Sequence, residues 1–258
     1  MDNNYYVNLA ESMKKYTGEQ RQHLVSGYVY DTLDDDALTK MPAAFFAELL
    51  KNEKDPVCKW YEIKAIGELK ATEYINLLVA VLSDDDVKFE TGSSLHLIAA
   101  NSLGKMGEAA IPSTLELFAS GSASTRLAVI DTLGESRCSA GALAIKEILS
   151  LFNLKEFNYA MLALAKCGAK GSEVLKSIYS GGVDTEKMLC VIDAMCYSSD
   201  CDDMLKEILY NNTDLVVNVL SAKTRGASLA LERIVKECAP WTSADKDYIR
   251  QKGVAFNE

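Results

Sequence analysis

A short phrase recurs along the middle of this chain, and its spacing leaves few folds open. Each copy places a small residue directly after an apolar one, and the copies follow one another at intervals of about 30 residues. One wider interval contains the polar insertion SDDDVKFETGSS at 83–94. Such a period predicts a chain assembled from one small structural unit used several times. The copies are AIGEL at 65–69, SLGKMG at 102–107, TLGES at 132–136, ALAKCG at 163–168 and AMCYS at 194–198.

The residues that precede each small residue predict the first helix of every unit. We call the small residue the anchor and count positions from it, so that negative positions lie before it. Positions −1, −4 and −7 are apolar with one exception, and this spacing places them on one helical face that we expect to be buried. A glycine at the anchor is expected to end this helix with a left-handed cap. The anchors are Gly67, Gly104, Gly134, Ala165 and Cys196, and position −7 holds Trp60, Leu97, Leu127, Asn158 and Leu189.

A second helix is predicted after each anchor. One apolar residue recurs there at similar intervals, and another apolar residue follows it three positions later, which again marks one face of a helix. Polar and glycine-containing turns, such as GKMGE at 104–108, separate the helices. The expected unit is therefore a helical hairpin. The recurring residues are Leu78, Leu115, Ile145, Leu175, Leu205 and Leu231.

The string TRLAVIDTLGES at 125–136 resembles the short HEAT-like repeat of the phycobilisome-lyase type. That repeat carries an arginine eight residues before a glycine and the ending LG-x-G. Arg126 and Gly134 match it, Ser136 replaces the second glycine, and Gly104 and Gly107 supply the ending in another unit. The resemblance covers about 57–238. It implies an all-α fold, a right-handed α-α superhelix (HEAT-like α-solenoid) of about six helical hairpins.

The two ends of the chain do not repeat and are expected to cap this solenoid. Residues 1–56 are predicted to form an N-terminal helical cap, with amphipathic helices over 18–33 and 37–51. The repeats occupy 57–238. Residues 239–258 are predicted to hold a closing helix over 241–251 and a tail. All three parts are expected to form one continuous domain.

Charge and composition bear on the partner and the compartment. The net charge of −10 disfavours binding to a phosphate backbone and favours a basic protein partner. The longest apolar run, 77–82, is far shorter than the roughly 20 residues of a membrane helix, so no membrane span is predicted. No secretory signal is visible over residues 1–6. Seven cysteines without a CxxC pair predict free thiols and a cytoplasmic location.

No constellation of residues indicates catalysis. The two histidines, His23 and His96, have no nucleophile or acid beside them in the sequence, and no phosphate-binding or zinc-protease motif occurs. The cysteines at 190, 196 and 201 lack metal-ligand spacing. From these absences we predict that the chain is not an enzyme and has no catalytic residue, cofactor or metal.

Three acidic runs and a set of charged helix positions are the candidate binding residues. The runs at 34–36, 84–86 and 200–203 do not follow a calcium-loop pattern and are candidates for an acidic rim facing a cationic partner. In the second helices, lysine or glutamate follows the core residue, which predicts a mixed-charge track on the concave face of the solenoid. An ordinary solvated helix surface is the alternative. The predicted partner-binding residues are Lys146, Glu147, Lys176, Lys206, Glu207, Glu116, Asp84, Asp85 and Asp86.

The expected function is therefore that of a non-catalytic protein-binding solenoid. Two roles are open for such a protein: neutralisation of its partner, as an immunity protein neutralises a basic toxin, or binding of the partner as an adaptor. A structural subunit of a larger complex stays open as well. The resemblance also admits two HEAT-like enzymes, the bilin lyases and the alkylpurine DNA glycosylases. The glycosylases need a strongly basic concave face with aromatic residues, and here Trp60 and Trp241 lie near the two ends of the chain.

Overall fold

A computed structural model describes residues 10–13, 15–30, 41–84, 95–211, 247 and 251 of the protein. All secondary structure in these residues is helical. The chain divides into two compact units, Met1–Ser136 and Arg137–Glu258. The first unit holds α1 (Gly18–Val29), α2 (Ala43–Asn52), α3 (Pro56–Glu68), α4 (Ile75–Ser83), α5 (Leu95–Lys105), α6 (Ile111–Ser120) and α7 (Ala123–Glu135). The second holds α8 (Ser139–Ile148), α9 (Leu154–Lys166), α10 (Gly168–Gly181), α11 (Thr185–Met195) and α12 (Asp202–Asn211).

The first unit consists of two rows of helices. Helices α3, α5 and α7, which carry the first three anchors, pack side by side in one row. Helices α4 and α6 contact each other in a second row, and each also packs against the anchor-bearing helix that follows it. The N-terminal helices α1 and α2 both pack against α3, so they cover the free side of the first repeat.

The second unit repeats this arrangement. Helices α9 and α11 carry the last two anchors and pack against each other, while α8 packs against α10 in the other row. Helix α10 contacts both α9 and α11, and α12 contacts α11. The predicted all-α fold of HEAT-like helical repeats is therefore confirmed. The predicted division at 56 and 238 stays a prediction.

Burial confirms most of the predicted apolar stripe. The residues at positions −1 and −4 of all five anchor-bearing helices are completely buried. In the second helices, the recurring apolar residue is also fully buried at Leu78, Ile145, Leu175 and Leu205, whereas Leu115 is half-buried. Leu231 lies outside the described residues. A continuous apolar core thus runs between the two rows within each unit. The residues at −1 and −4 are Ile66, Leu103, Leu133, Leu164, Met195, Ile63, Ala100, Ile130, Met161 and Ile192.

Position −7 was wrongly predicted to be buried. Leu97 is 50% exposed, Asn158 is exposed, and Trp60, Leu127 and Leu189 are only half-buried. Positions −2 and −5 are buried in their place, because the buried arc of each helix is centred near position −1. At about 100° per residue, position −7 falls beyond the edge of that arc.

Side-chain caps fix where the anchor-bearing helices begin. Asp55 accepts hydrogen bonds from the N–H groups of Val57 and Cys58 at the start of α3, and Pro56 occupies its first turn. Ser122, Asn153 and Asp184 cap α7, α9 and α11 at the equivalent position. Each cap satisfies an otherwise unpaired donor and contributes about 1 kcal/mol to stability. The repeat therefore includes its own helix start signal.

The anchor glycines do not form left-handed caps, contrary to the prediction. Gly67 and Gly104 lie inside helices, and a Cβ there would collide with Ser102 and Glu135 of the next helix in the row. These glycines therefore allow two helices to approach closely. The left-handed residue comes three positions after the anchor in four repeats, at Lys70, Gly107, Arg137 and Gly168.

The N-terminal prediction is only partly met. The first predicted helix begins at Gly18 as expected, behind a capping box formed by Thr17 and Gln20. The second is described from Ala43 onward, where Pro42 has extended backbone and serves as the N-cap, and its predicted start at 37 lies outside the described residues. The closing helix over 241–251 lies outside the described residues except for 247 and 251. None of the described helices is long and apolar enough to cross a membrane.

Candidate partner-binding surface

The exposed side of α8 and α10 is set by their buried residues. Ile145 and Leu175 are completely buried, and the residue after each is turned by about 100° toward the helix surface. Lys146 is accordingly exposed and Lys176 is half-buried. Glu147 is exposed beside Lys146 on α8. The two lysines lie on helices that pack against each other, and a lysine row across these helices stays a prediction.

Other side chains on the same two helices complete a mixed-charge surface. The Lys170 ammonium lies 2.8 Å from the Glu173 carboxylate one turn further along α10. The hydrogen bond from Lys170 and the positive charge of Lys170 lower the pKa of Glu173. The positive charge of Lys146 on the neighbouring helix lowers this pKa further. The apolar side chain of Leu143, which is 49% exposed, lies one turn before Lys146. Lys146 and Glu147 thus follow an exposed leucine at a distance of about one helical turn, so that charges of both signs share its face of α8.

The last predicted pair lies on α12. Lys206 is half-buried, and its ammonium lies 4.0 Å from a carboxylate oxygen of Asp203, whose side chain is fully exposed. Glu207 is exposed. Asp200 is exposed and Asp202 half-buried, so this acidic run is at the surface of the second unit. We name a set of exposed and half-buried residues of α8, α10 and α12 the charged track: Leu143, Lys146, Glu147, Lys170, Glu173, Lys176, Lys206 and Glu207.

The remaining predicted residues belong to the first unit. Glu116 is exposed on α6. Asp84 is exposed at the end of α4, where its carbonyl oxygen lies 2.8 Å from Nε2 of His96. It borders a pocket of about 190 Å³ lined by Leu50, Lys51, Lys59, Leu77, Ala80, Val81 and Leu95. Asp85 and Asp86, and the run at 34–36, lie outside the described residues.

The described cysteines are free thiols. Burial raises the pKa of Cys58 to about 12, with the carboxylates of Glu53 and Asp55 adding to the shift. Burial also raises the pKa of Cys190 and Cys201. Such thiols are protonated at neutral pH and are poor nucleophiles. Within the described part of the chain, no group of three His, Cys, Asp or Glu side chains is arranged to hold a metal ion.

The sequence analysis missed a polar network at the start of the first repeat. Arg21 of α1 forms two 2.8 Å hydrogen bonds with the Glu53 carboxylate, and Gln22 donates to Asp55. A cavity of about 250 Å³ lies beside this ion pair, lined by Arg21, Leu49, Asn52, Glu53 and Lys54. Glu62 of α3 is completely buried, and among the described residues neither of its carboxyl oxygens has a hydrogen-bond partner. The network connects α1 to the loop before α3.

Comparison with known proteins places the chain by fold only. The sequence matches no protein-family profile and no curated protein. Among solved structures it is similar to the complex of CpcE and CpcF of phycocyanin lyase from Nostoc sp. PCC7120. The identity is 16%, the match covers 82% of this chain and 93% of that chain, and the TM-score is 0.42. The predicted fold of HEAT-like helical repeats is confirmed by the helical hairpins described above, and this distant match adds no argument to it.

The same comparison corrects one prediction. From the lack of catalytic motifs we predicted that the chain is not an enzyme, yet the solved structure to which it is similar is that of a lyase. That prediction is wrong, because absent motifs do not exclude catalysis in a fold of this kind. The similarity assigns no catalytic role to any residue of this chain.

Proposed function

We propose that this protein binds a protein partner through the charged track of its second unit. The observation that carries the proposal is the mixed-charge surface of α8 and α10, two helices that pack against each other. Lys146, Glu147 and Glu173 are exposed on it, and Leu143 is 49% exposed about one turn before Lys146 and Glu147. An apolar side chain within a polar rim is the usual composition of a protein-binding surface. The buried residues beneath the track hold it on rigid helices, which lowers the entropic cost of binding.

The proposed partner is basic. The chain carries a net charge of −10, and aspartates at 84, 200 and 203 are exposed. Such a charge raises the rate of association with a cationic protein and disfavours polyanions such as nucleic acids. Two roles fit this chemistry: neutralisation of a basic, toxic protein, as by an immunity protein, and adaptor binding. Inhibition of the partner's own activity on binding would distinguish the first role from the second.

The test is affinity capture from cells of the native host, followed by binding measurements with the purified partner. The variant Glu147→Lys reverses an exposed acidic residue of the charged track on α8. We expect it to weaken binding by about tenfold or more, since the new lysine places like charges opposite each other when the partner is basic. The matched control is Glu186→Lys, which makes the same change of charge at an exposed residue on α11 of the same unit and is expected to leave the affinity unchanged.

Two results would contradict the proposal. The first is equal loss of affinity in Glu147→Lys and in the control, which would indicate a net-charge effect and no local surface. The second is unchanged affinity in both, which would remove the charged track from the interface. A captured partner that is acidic would contradict the prediction of a basic partner. The variants would still test whether the charged track is the binding surface.

A further inference from the structure

A cluster of aromatic rings lies on the first unit, far along the chain from the charged track. Tyr30 at the end of α1 meets Tyr61 of α3 edge to face, with ring centroids 5.9 Å apart and an interplanar angle of 84°. Trp60 meets the same Tyr61 ring at 5.1 Å and 89°. Three rings from two helices thus form one cluster. We name Tyr30, Trp60, Tyr61 and Lys64 the aromatic patch.

Lys64 places a positive charge within this cluster. It lies one helical turn after Trp60, and its ammonium is 4.3 Å from the centre of the Tyr30 ring and 5.3 Å from that of Trp60. Both distances are within the range of a cation–π interaction. No ion pair joins Lys64 to a carboxylate in the described part of the chain. The rings therefore hold the ammonium in place without neutralising its charge.

The patch is accessible and continues onto the next helix. Tyr30 is 53% exposed, and Trp60 and Tyr61 are half-buried. Leu97 of α5 occupies the position equivalent to Trp60 and is 50% exposed. The two helices lie in register, because equivalent residues on them, Glu68 and Lys105, form an ion pair at 2.5 Å. The result is an apolar surface with one central cation. It includes Trp60 and Leu97, two residues at position −7 that are not fully buried.

We propose that the aromatic patch binds a segment of a protein partner that carries an acidic side chain next to an apolar one. The carboxylate pairs with the Lys64 ammonium, and the apolar side chain packs against Tyr30, Trp60 and Leu97. Charge complementarity selects the acidic group, because the held cation lacks a carboxylate and is partly desolvated by the rings. Tyrosine and tryptophan supply large contact areas at low entropic cost, as in binding hot spots.

The chemistry of the patch favours a protein segment over a nucleic acid. A single ammonium offers one phosphate contact, whereas the chain as a whole carries a net charge of −10 and repels a polyanion. The rings are also packed edge to face with one another, and this geometry offers fewer open faces for stacked bases. The binding surface lies on a different unit from the charged track, so the two proposals are tested by different variants.

The test uses the full chain with Trp241→Phe, so that Trp60 becomes the only tryptophan. The probes are short synthetic peptides that carry one leucine–glutamate pair between serine and glycine residues, and the same peptides with glutamine or lysine in place of glutamate. We expect the glutamate peptides to shift Trp60 fluorescence on binding, and the other two sets to bind about tenfold more weakly or worse. Lys64→Glu should weaken binding of the glutamate peptides to the same extent, while Lys64→Arg keeps it.

The controls separate loss of the patch from loss of the fold. Lys155→Glu changes charge by the same amount in the second unit and should leave peptide binding unchanged. Tyr30→Ala removes an exposed ring at a helix end, and its thermal unfolding midpoint should stay near that of the parent while binding falls. The proposal is overturned if no acidic peptide binds, if glutamine peptides bind equally well, if Lys64→Glu has no effect, or if a uridine oligonucleotide binds more tightly than the peptides.

Discussion

At the scale of single residues, the least ordinary group in the protein is the carboxyl of Glu62. It is completely buried between helices, and neither oxygen has a hydrogen-bond partner. Burial raises its pKa to about 9, the nearby Glu53 carboxylate adds to the shift, and the Arg21 guanidinium opposes it. Glu62 is therefore protonated in the folded protein at neutral pH, because the neutral acid costs far less to bury than the anion.

This protonation predicts that the protein loses stability as the pH rises. In the unfolded chain Glu62 releases its proton near its ordinary pKa of 4.5, whereas the folded protein keeps it until about 9. Between these values the unfolded state gains from ionisation and the folded state does not, so the free energy of unfolding falls with pH. Linkage gives a loss on the order of 4 kcal/mol between about pH 5 and about pH 8.

Urea denaturation at the two pH values, followed by circular dichroism, measures this slope. Glu62→Gln, which cannot ionise, should show little of it. The control Glu73→Gln removes an exposed carboxylate of the same unit and should keep the wild-type slope. Glu53 and Asp55 have lowered pKa values in the folded protein. Their contribution to the free energy of unfolding is therefore lost only as the pH falls below the usual carboxylate range. A wild-type slope in Glu62→Gln would show that this carboxyl is ionised in the folded protein.

Local sequence could not reveal Glu62 as a buried residue. It occupies position −5, where the other four repeats hold Ala99, Val129, Ala160 and Val191, all buried. A reader of the sequence assigns a glutamate to the surface, because charged residues are rarely fully buried. Its burial follows from the cover that α1 and α2 place on α3. That contact joins parts of the chain whose pairing no local pattern encodes.

At the scale of elements, the tight turn within the hairpin carries strain in some repeats and not in others. The residue three positions after the anchor has positive φ in four repeats: 65° at Gly107, 62° at Gly168, and 50° at both Lys70 and Arg137. A side chain in this left-handed region costs roughly 1 kcal/mol, because its Cβ crowds the backbone. Glycine avoids that cost, so the repeats with lysine and arginine are held there by the flanking helices.

Substitution of Lys70 by glycine should therefore stabilise the protein. The strain energy that glycine relieves exceeds the free-energy cost of its greater backbone entropy in the unfolded chain. We therefore expect the free energy of unfolding to rise by about 0.5 kcal/mol. The matched control is Lys155→Gly, at an exposed lysine within α9, where glycine should cost about 0.5–1 kcal/mol. Urea denaturation of both variants measures the difference. Equal destabilisation by the two substitutions would show that the left-handed turn carries no strain.

The helices themselves were largely predictable, and their ends less so. The spacing of apolar residues placed five anchor-bearing helices and the second helices between them, because that spacing is a local property of a 3.6-residue turn. The left-handed turn residue was assigned to the anchor, since glycine suits both a left-handed cap and a close helix contact. Only the position of Ser102 against Gly67 distinguishes the two uses, and it is a contact between repeats. Lys70 and Arg137 bear no local mark of a left-handed turn.

At the scale of the whole molecule, the lysines and glutamates of the second helices were predictable because each comes one or two positions after a buried residue. That rule places Lys146, Glu147 and Glu207 at the surface, and it leaves Lys176 and Lys206 half-covered by neighbours. It does not reveal that lysines on two helices lower the pKa of Glu173, since this depends on how α8 and α10 pack. The aromatic patch was missed because the sequence analysis assigned Trp60 to the core by its apolar character alone.

The net charge of −10 predicts how fast the protein meets a basic partner. Opposite charges steer two proteins together over distances set by the Debye length, about 30 Å at 0.01 M salt and about 3 Å at 1 M. Replacement of Asp84, Asp85 and Asp86 by asparagine removes three negative charges. We expect the association rate constant with the captured partner to fall several-fold at low salt, and this difference to vanish at high salt, while the dissociation rate changes little.

Stopped-flow or surface-binding kinetics over a range of salt concentrations test this expectation. A matched variant with asparagine at 34–36 removes the same three charges from another part of the first unit. Equal slowing in both variants would assign the steering to the overall charge, whereas slowing in one alone locates the acidic surface that the partner approaches. A wild-type association rate that does not depend on salt would contradict a basic partner, because attraction between opposite net charges must weaken as ions screen it.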